Sequence, residues 1–192
     1  GLEVTHQDSE TLYLRALEET SHHSLVFQKS KSPGVCKRIG YRMYTEKDLS
    51  IAHDFFNSHV LTATFEDQAF QGRTLHVNDP LGVPLEFCAE MDQKPSLMQT
   101  FHKHHGASPA SFDHVQIATQ DVDTALKWYS ELGFRLTEYT ADDNTDEVWG
   151  IWLKRKNNTQ DVVFSAGIGP RLHHFAYNVP EVANIIHVAD VM

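Results

Sequence analysis

The chain has 192 residues, of which 41% are hydrophobic and 22% charged, and its formal net charge is −10. This composition is typical of a globular protein, and the acidic balance without a basic cluster argues against a nucleic-acid or anionic-membrane partner. No apolar run approaches the ~20 residues that a membrane helix needs, and no signal peptide is recognisable. Cys36 and Cys88 lie far apart, as expected for reduced thiols in a cytoplasmic protein.

The N-terminal part of the chain is rich in strand signals. Residues 2–5, 11–16 and 23–27 are each predicted to form a β-strand. A further strand is predicted from Ile39 to Met43, followed by a helix from Asp48 to Ser58. Three more strands follow this helix, at residues 61–66, 73–77 and 85–89.

The C-terminal part repeats this order after a linker at residues 91–111, which contains Pro95, Gly106 and Pro109. A strand at 112–117 precedes a helix at 121–132. Asp121 is the expected N-cap of this helix and Gly133 is the expected residue after its C-cap. Strands at 134–139, 148–154 and 161–165 come next, and a new strand at 172–177 leads into another helix from Glu181.

The self-similarity of these segments indicates a repeated βαβββ unit and an α+β fold. Residues 112–117 and 172–177 align without a gap. We expect an N-terminal half at 1–90, with one partial and one whole unit, and a C-terminal half at 112–192. The C-terminal half would hold one whole unit and the start of another, so that the terminal units are incomplete.

Two histidines occupy equivalent positions in the aligned strands. His114 matches His174, whereas His173 matches Asp113. Side chains alternate along a strand, so His173 is expected to face away from the side on which His174 lies. Two converging imidazoles are good ligands for a first-row divalent metal. A buried or interfacial histidine is the alternative for each residue taken alone.

Other polar or aromatic residues are expected near this pair. Gln116 lies two positions after His114 and therefore shares its face of the strand. Trp152 lies in the middle of another strand, from which its side chain could line the cavity. In the N-terminal part, His22 is expected to be exposed and His23 to be structural.

Several segments resemble the vicinal oxygen chelate superfamily, and within it the extradiol ring-cleaving dioxygenases, most closely those acting on homoprotocatechuate (3,4-dihydroxyphenylacetate). The resemblance rests on residues 112–116, 131–135 and 169–176, and extends into the first half through 12–19 and 79–87. It implies a metal, Fe(II) or alternatively Mn(II), held by His114, His174 and a glutamate that would lie beyond residue 192. Glu86 occupies the analogous place in the first half and is interpreted as structural. The chain by itself is therefore expected to bind metal weakly.

Two residues depart from the pattern that the resemblance implies. Gln160 stands where the family often has a second histidine near the metal, and Gln116 stands where asparagine is common. Glutamine cannot titrate, but it can donate a hydrogen bond to a bound reactant. Gln116, Gln160 and Trp152 are thus the candidate catalytic residues.

The resemblance implies an oxidoreductase of aromatic catabolism that cleaves a small aromatic diol with O₂, and that assembles as a homo-oligomer. Two alternatives stay open on the same fold. One is an isomerase or lyase of the glyoxalase kind, which would need a further carboxylate ligand. The other is a non-catalytic ligand-binding protein, which would have no metal requirement.

Overall fold

A computed structural model describes residues 1–192 and contains twelve β-strands, three α-helices and a short 3₁₀ helix at Phe101–Lys103. The strands are β1 Glu3–Gln7, β2 Thr11–Arg15, β3 Leu25–Gln28, β4 Ile39–Arg42, β5 Thr64–Gln68, β6 Gly72–Asn78, β7 Pro84–Cys88, β8 Ser111–Thr119, β9 Arg135–Ala141, β10 Val148–Lys154, β11 Val162–Ala166 and β12 Arg171–Asn178. The helices are α1 Glu46–Ser58, α2 Val122–Glu131 and α3 Val182–Val191. None of them is long and apolar enough to cross a membrane, and both cysteines are free.

The sheets show the repeat directly. The four-stranded sheet has the order β4-β7-β6-β5, and its first two strands run parallel. The five-stranded sheet has the order β12-β8-β11-β10-β9, and β8 runs parallel to β11. Each set therefore has a first strand, a helix and three further strands in the same spatial order. This confirms the α+β fold of repeated βαβββ units.

By its internal contacts the chain forms two compact units. The first contains Gly1–Gly34, Met91–Asp113 and Ala176–Met192, and the second contains Val35–Glu90 and His114–Phe175. The division into sequence halves at residues 91–111 stays a prediction.

Local sequence signals explain the helix boundaries. At α1, Thr45 accepts from the backbone N–H of Asp48, and the Asp48 carboxylate accepts in return from the N–H of Thr45. At α2, Asp121 accepts a 2.8 Å hydrogen bond from the N–H of Thr124, as expected of an N-cap. Gly133 follows the C-cap with φ +86°, a left-handed conformation that glycine adopts without steric penalty.

The end of α1 explains why β5 begins three residues later than expected. Val60 adopts a positive φ of 63°. Its N–H donates to the carbonyl of Asn57, and the N–H of Leu61 donates to that of Phe56. This pair of bonds satisfies the carbonyls of the last helical turn. Leu61 therefore takes part in ending α1 and is not the first residue of β5.

The core of the second unit is aromatic and aliphatic. Tyr129 on α2 is fully buried, and its ring lies 4.7 Å from that of Phe164 on β11. Phe56 on α1 is also buried and lies 6.2 Å from the ring of Trp128. The contact of Tyr129 packs α2 on its sheet, and the contact of Phe56 with Trp128 joins the two helices.

The first unit is built on the antiparallel sheet β1-β2-β3. Arg15 is buried, and its Nη2 donates to the carbonyl of Pro95 at 2.9 Å. His22 is only 1% exposed, so the prediction that it is exposed was wrong. The reason is local: β3 begins at Leu25, and His22 lies in the bend before it, where strand alternation does not apply.

Candidate metal centre

The two equivalent histidines meet on neighbouring strands. His114 lies on β8 and His174 on β12, and the two strands are adjacent in the five-stranded sheet. The Nε2 atoms are 3.3 Å apart, and the ring planes are inclined at 76°. Both side chains are half-buried. The pair thus directs two ring nitrogens to one point beside the sheet.

This separation fits chelation of a single metal ion. Two metal–nitrogen bonds of about 2.1 Å, meeting at an angle of about 90–110°, hold their nitrogen atoms about 3.0–3.4 Å apart. The observed Nε2–Nε2 distance of 3.3 Å lies within that range. Imidazole nitrogens suit Fe, Mn and Zn alike, so the donor set fits a divalent first-row metal without selecting one.

The electrostatic surroundings keep His174 neutral. Its pKa is lowered, first by burial and then by the neighbouring His114 and His173. Burial disfavours the charged imidazolium, and two nearby imidazoles add to that effect. A neutral ring retains a nitrogen lone pair at neutral pH, as a metal ligand requires.

Gln160 contacts the pair from the His114 side. Its Nε2 lies 3.1 Å from Nδ1 and 3.4 Å from Nε2 of His114. Gln160 precedes β11 in the chain, and β11 lies next to β8. The connection into β11 therefore places this amide against the imidazole.

Gln116 and Trp152 lie on the same face of the sheet as the pair. Cross-strand register aligns Gln116 with Val163 on β11, and Val163 with Trp152 on β10. Residues in register point to the same side of a sheet. The Gln116 Nε2 donates to Ser165 Oγ at 3.0 Å. The indole of Trp152 lies over Gly150, where a Cβ would meet its ring atoms at 3.3 and 3.4 Å.

His173 is close to the pair in a way that sequence reasoning missed. It is exposed, as strand alternation indicates. Its Nδ1 nevertheless lies 2.7 Å from Nδ1 of His174. The two consecutive histidines in the sequence could have indicated this contact. Strand alternation alone, however, predicted that His173 lies on the other side of the strand.

No carboxylate joins the two histidines within residues 1–192. No group of three or more His, Cys, Asp or Glu side chains in these residues is arranged to hold a metal. Glu86 lies on β7 opposite Gly40, and its Oε1 accepts from Nε2 of Gln71 at 3.3 Å. Its other oxygen lies 3.8 Å from Nε2 of His76. Its interpretation as structural agrees with these contacts but stays a prediction.

Comparisons with known proteins extend these observations. Residues 111–192 match the family model described as Glyoxalase/Bleomycin resistance protein/Dioxygenase superfamily. The chain is 26% identical to the manganese-dependent 2,3-dihydroxybiphenyl 1,2-dioxygenase of Geobacillus genomosp. 3, over 100% of this chain and 65% of that protein.

Two solved structures share the fold over nearly the whole chain. The homoprotocatechuate 2,3-dioxygenase of Arthrobacter globiformis has a TM-score of 0.94 and 30% identity, over 99% of this chain and 59% of that one. The enzyme of the same name from Brevibacterium fuscum, in an anaerobic complex with 3,4-dihydroxyphenylacetate, has a TM-score of 0.94 and 32% identity, over 99% and 60%. The chain thus spans less than two thirds of the length of each of these three relatives.

Proposed function

We propose that the whole protein is a metal-dependent extradiol dioxygenase that opens a catechol ring with O₂, a proposal supported by the match of residues 111–192 to the Glyoxalase/Bleomycin resistance protein/Dioxygenase superfamily model. The observation that carries this proposal is the 3.3 Å approach of the His114 and His174 Nε2 atoms on adjacent strands. The similarity to extradiol dioxygenases along essentially the entire chain supports the same reaction class.

His114 and His174 would hold the metal, with Fe(II) as the first candidate and Mn(II) as the second. The relative from Geobacillus genomosp. 3 is named as manganese-dependent, which supports the second candidate. We assign the third ligand to a carboxylate outside residues 1–192, since none joins the pair within them. Two histidines and one carboxylate leave positions open for exogenous ligands.

When bound, the metal would supply open positions for the reactants and would lower the pKa of the catechol hydroxyls. The protein's part is to favour the neutral form of His174 and to hold both rings in the correct orientation. Burial of His174 lowers its pKa and favours that neutral form. Gln160 has no titratable proton, so it orients His114 and offers a hydrogen bond, and proton transfer falls to other groups.

The remaining site residues shape the space beside the pair. With its Nε2 committed to Ser165, Gln116 presents its Oε1 as an acceptor for a substrate hydroxyl. Trp152 supplies an apolar wall on the same face, which suits an aromatic ring and excludes water.

For the substrate, 3,4-dihydroxyphenylacetate is our first candidate. The Brevibacterium fuscum relative, 32% identical, was solved in complex with this compound. Participation in aromatic catabolism, a cytoplasmic location and a homo-oligomeric state are parts of the same proposal.

The test uses the full-length gene product, made metal-free and reconstituted anaerobically with Fe(II) or Mn(II). On exposure to O₂ with 3,4-dihydroxyphenylacetate, catechol or 2,3-dihydroxybiphenyl, we expect O₂ uptake matched by the yellow ring-opened semialdehyde. The variants His114→Ala and His174→Ala should abolish both signals, and His102→Ala, at an exposed position, should not.

Absence of product with every catechol in the metal-loaded protein would overturn the proposal. Turnover of a glyoxalase-type substrate instead would favour the isomerase or lyase alternative. Catechol binding that needs no metal and survives His114→Ala would favour a binding protein.

A further inference from the structure

The third histidine beside the pair has no role in the function proposed above. His173 lies on β12, directly before His174, and its side chain is exposed. The Nδ1 atoms of His173 and His174 are 2.7 Å apart, well within hydrogen-bond distance.

Only one arrangement of protons on these rings is compatible with a metal at the pair. The His174 nitrogen that faces His114 is Nε2, so this atom must keep its lone pair. The proton of neutral His174 then resides on Nδ1, which becomes a donor. The atom that receives it is Nδ1 of His173, which in turn carries its own proton on Nε2.

The opposite arrangement disables the site. If His173 donated from Nδ1, His174 would accept there and carry its proton on Nε2, pointing at His114. A protonated Nε2 cannot bind a metal. The identity and tautomer of residue 173 therefore bear directly on the competence of residue 174.

We propose that His173 is a positioning residue that accepts a hydrogen bond from Nδ1–H of His174 and so fixes the metal-binding tautomer of that ring. The inference rests on the proposed metal site at the pair. A ligating histidine commonly donates its second ring N–H to a partner, which orients the ring and raises its basicity.

The other imidazole also has a partner at Nδ1. Nδ1 of His114 contacts the side-chain amide of Gln160 at 3.1 Å. The amide Nε2, a donor, is the atom nearest to this ring, and a rotation of the amide by about 180° would bring its Oε1 there as an acceptor. Each member of the pair thus has a partner at Nδ1, one an amide and the other an imidazole.

Loss of such a partner lowers metal affinity by about 10–100-fold. His173 is exposed, so water can partly replace it. We therefore expect His173→Ala to weaken metal binding by about tenfold, at the lower end of that range. The variant His173→Asn should restore much of this loss, because the Asn Oδ1 stands close to the place of Nδ1 and accepts a hydrogen bond.

The decisive experiment determines the tautomer of His174 in the absence of metal and catechol. Nitrogen NMR of the metal-free full-length protein distinguishes Nδ1–H from Nε2–H for His174. We expect Nδ1–H in the parent protein and in His173→Asn, and a shift towards Nε2–H in His173→Ala. Mn(II) affinity should follow the same order, with His102→Ala as an unaffected control.

An unchanged tautomer and unchanged Mn(II) affinity in His173→Ala would overturn the inference, as would Nε2–H on His174 in the parent protein. Failure of the dioxygenase assay combined with the expected tautomer pattern would overturn the proposed reaction and leave the role of His173 supported.

Discussion

The hydroxyl of Tyr129 donates a 3.0 Å hydrogen bond to Oδ2 of Asp79, and both side chains are buried. This contact joins α2 of one repeat to the β6–β7 connection of the preceding repeat, within the second compact unit. The other oxygen of Asp79 accepts from the backbone N–H groups of Leu81 and Val83. Asp79 is therefore fully engaged, although burial raises its pKa.

Substitution of Tyr129→Phe should destabilise the protein by about 1–3 kcal/mol, because it leaves an oxygen of a buried carboxyl without its donor. Urea unfolding followed by circular dichroism measures the change. Tyr139→Phe is the matched control, since Tyr139 is 63% exposed and its loss should stay within about 0.5 kcal/mol. Equal effects of the two changes would contradict the prediction.

His22 should make the protein sensitive to acid. Its pKa is lowered first by burial and then by Lys94, with smaller opposing or additional effects of Asp92, His6 and Arg15. The folded state therefore binds fewer protons at this ring than the unfolded state. The corresponding stability is complete above the ordinary histidine pKa of 6.5 and is lost as the pH falls through the lowered value.

The variant His22→Gln removes this titration. We expect the loss of unfolding free energy between about pH 8 and about pH 5 to be smaller in the variant than in the parent protein. His102→Gln, at an exposed site, should show the parental loss. A part of the loss will remain in every variant, because His174 also has a lowered pKa. An identical pH dependence in His22→Gln and the parent would refute the prediction.

Gly133 should be intolerant of a side chain. Its φ is +86°, and a Cβ there would lie 2.6 Å from Nη1 of Arg155. The variant Gly133→Ala should lose about 1–2 kcal/mol from the left-handed conformation alone. Gly34→Ala is the control, since nothing lies within 4 Å of its Cβ position. If both variants unfolded at the same urea concentration, the strain attributed to Gly133 would be absent.

Metal binding at the pair should stabilise the full-length protein. A ligand at about 100 times its Kd adds about 2.7 kcal/mol to the free energy of unfolding. We therefore expect Mn(II) to raise the melting temperature of the parent protein and of His102→Ala, but much less that of His114→Ala. A similar rise in the melting temperature of all three proteins would indicate that Mn(II) binds at a site other than the histidine pair.

The fold was largely predictable because its periodicities are strong. The apolar face of α2, with Asp121 before it and Gly133 after it, gave both ends of that helix to within one residue. Strand boundaries were less certain because they depend on hydrogen bonds made elsewhere, as the late start of β5 after Val60 shows.

At the candidate site, the alignment of repeats identified His114 and His174 as equivalent, and the structure brings them together. Their role as metal ligands stays a prediction. The contact of His173 could not be predicted from alternation, which specifies the side of a strand but not how closely the ring nitrogens of consecutive residues approach each other. The burial of His22 was not predicted for a related reason, because this residue lies outside any strand.

The two histidines of the pair come from two different repeats, and this has a consequence for the stability of the site. Each of these repeats contributes one imidazole, from its first strand, so a lone repeat would offer a single ring nitrogen at this position. The spacing of the two nitrogens therefore depends on how β8 and β12 lie side by side, and not on the fold of either repeat alone. A displacement of one strand along the other would separate the two rings even if both repeats stayed folded.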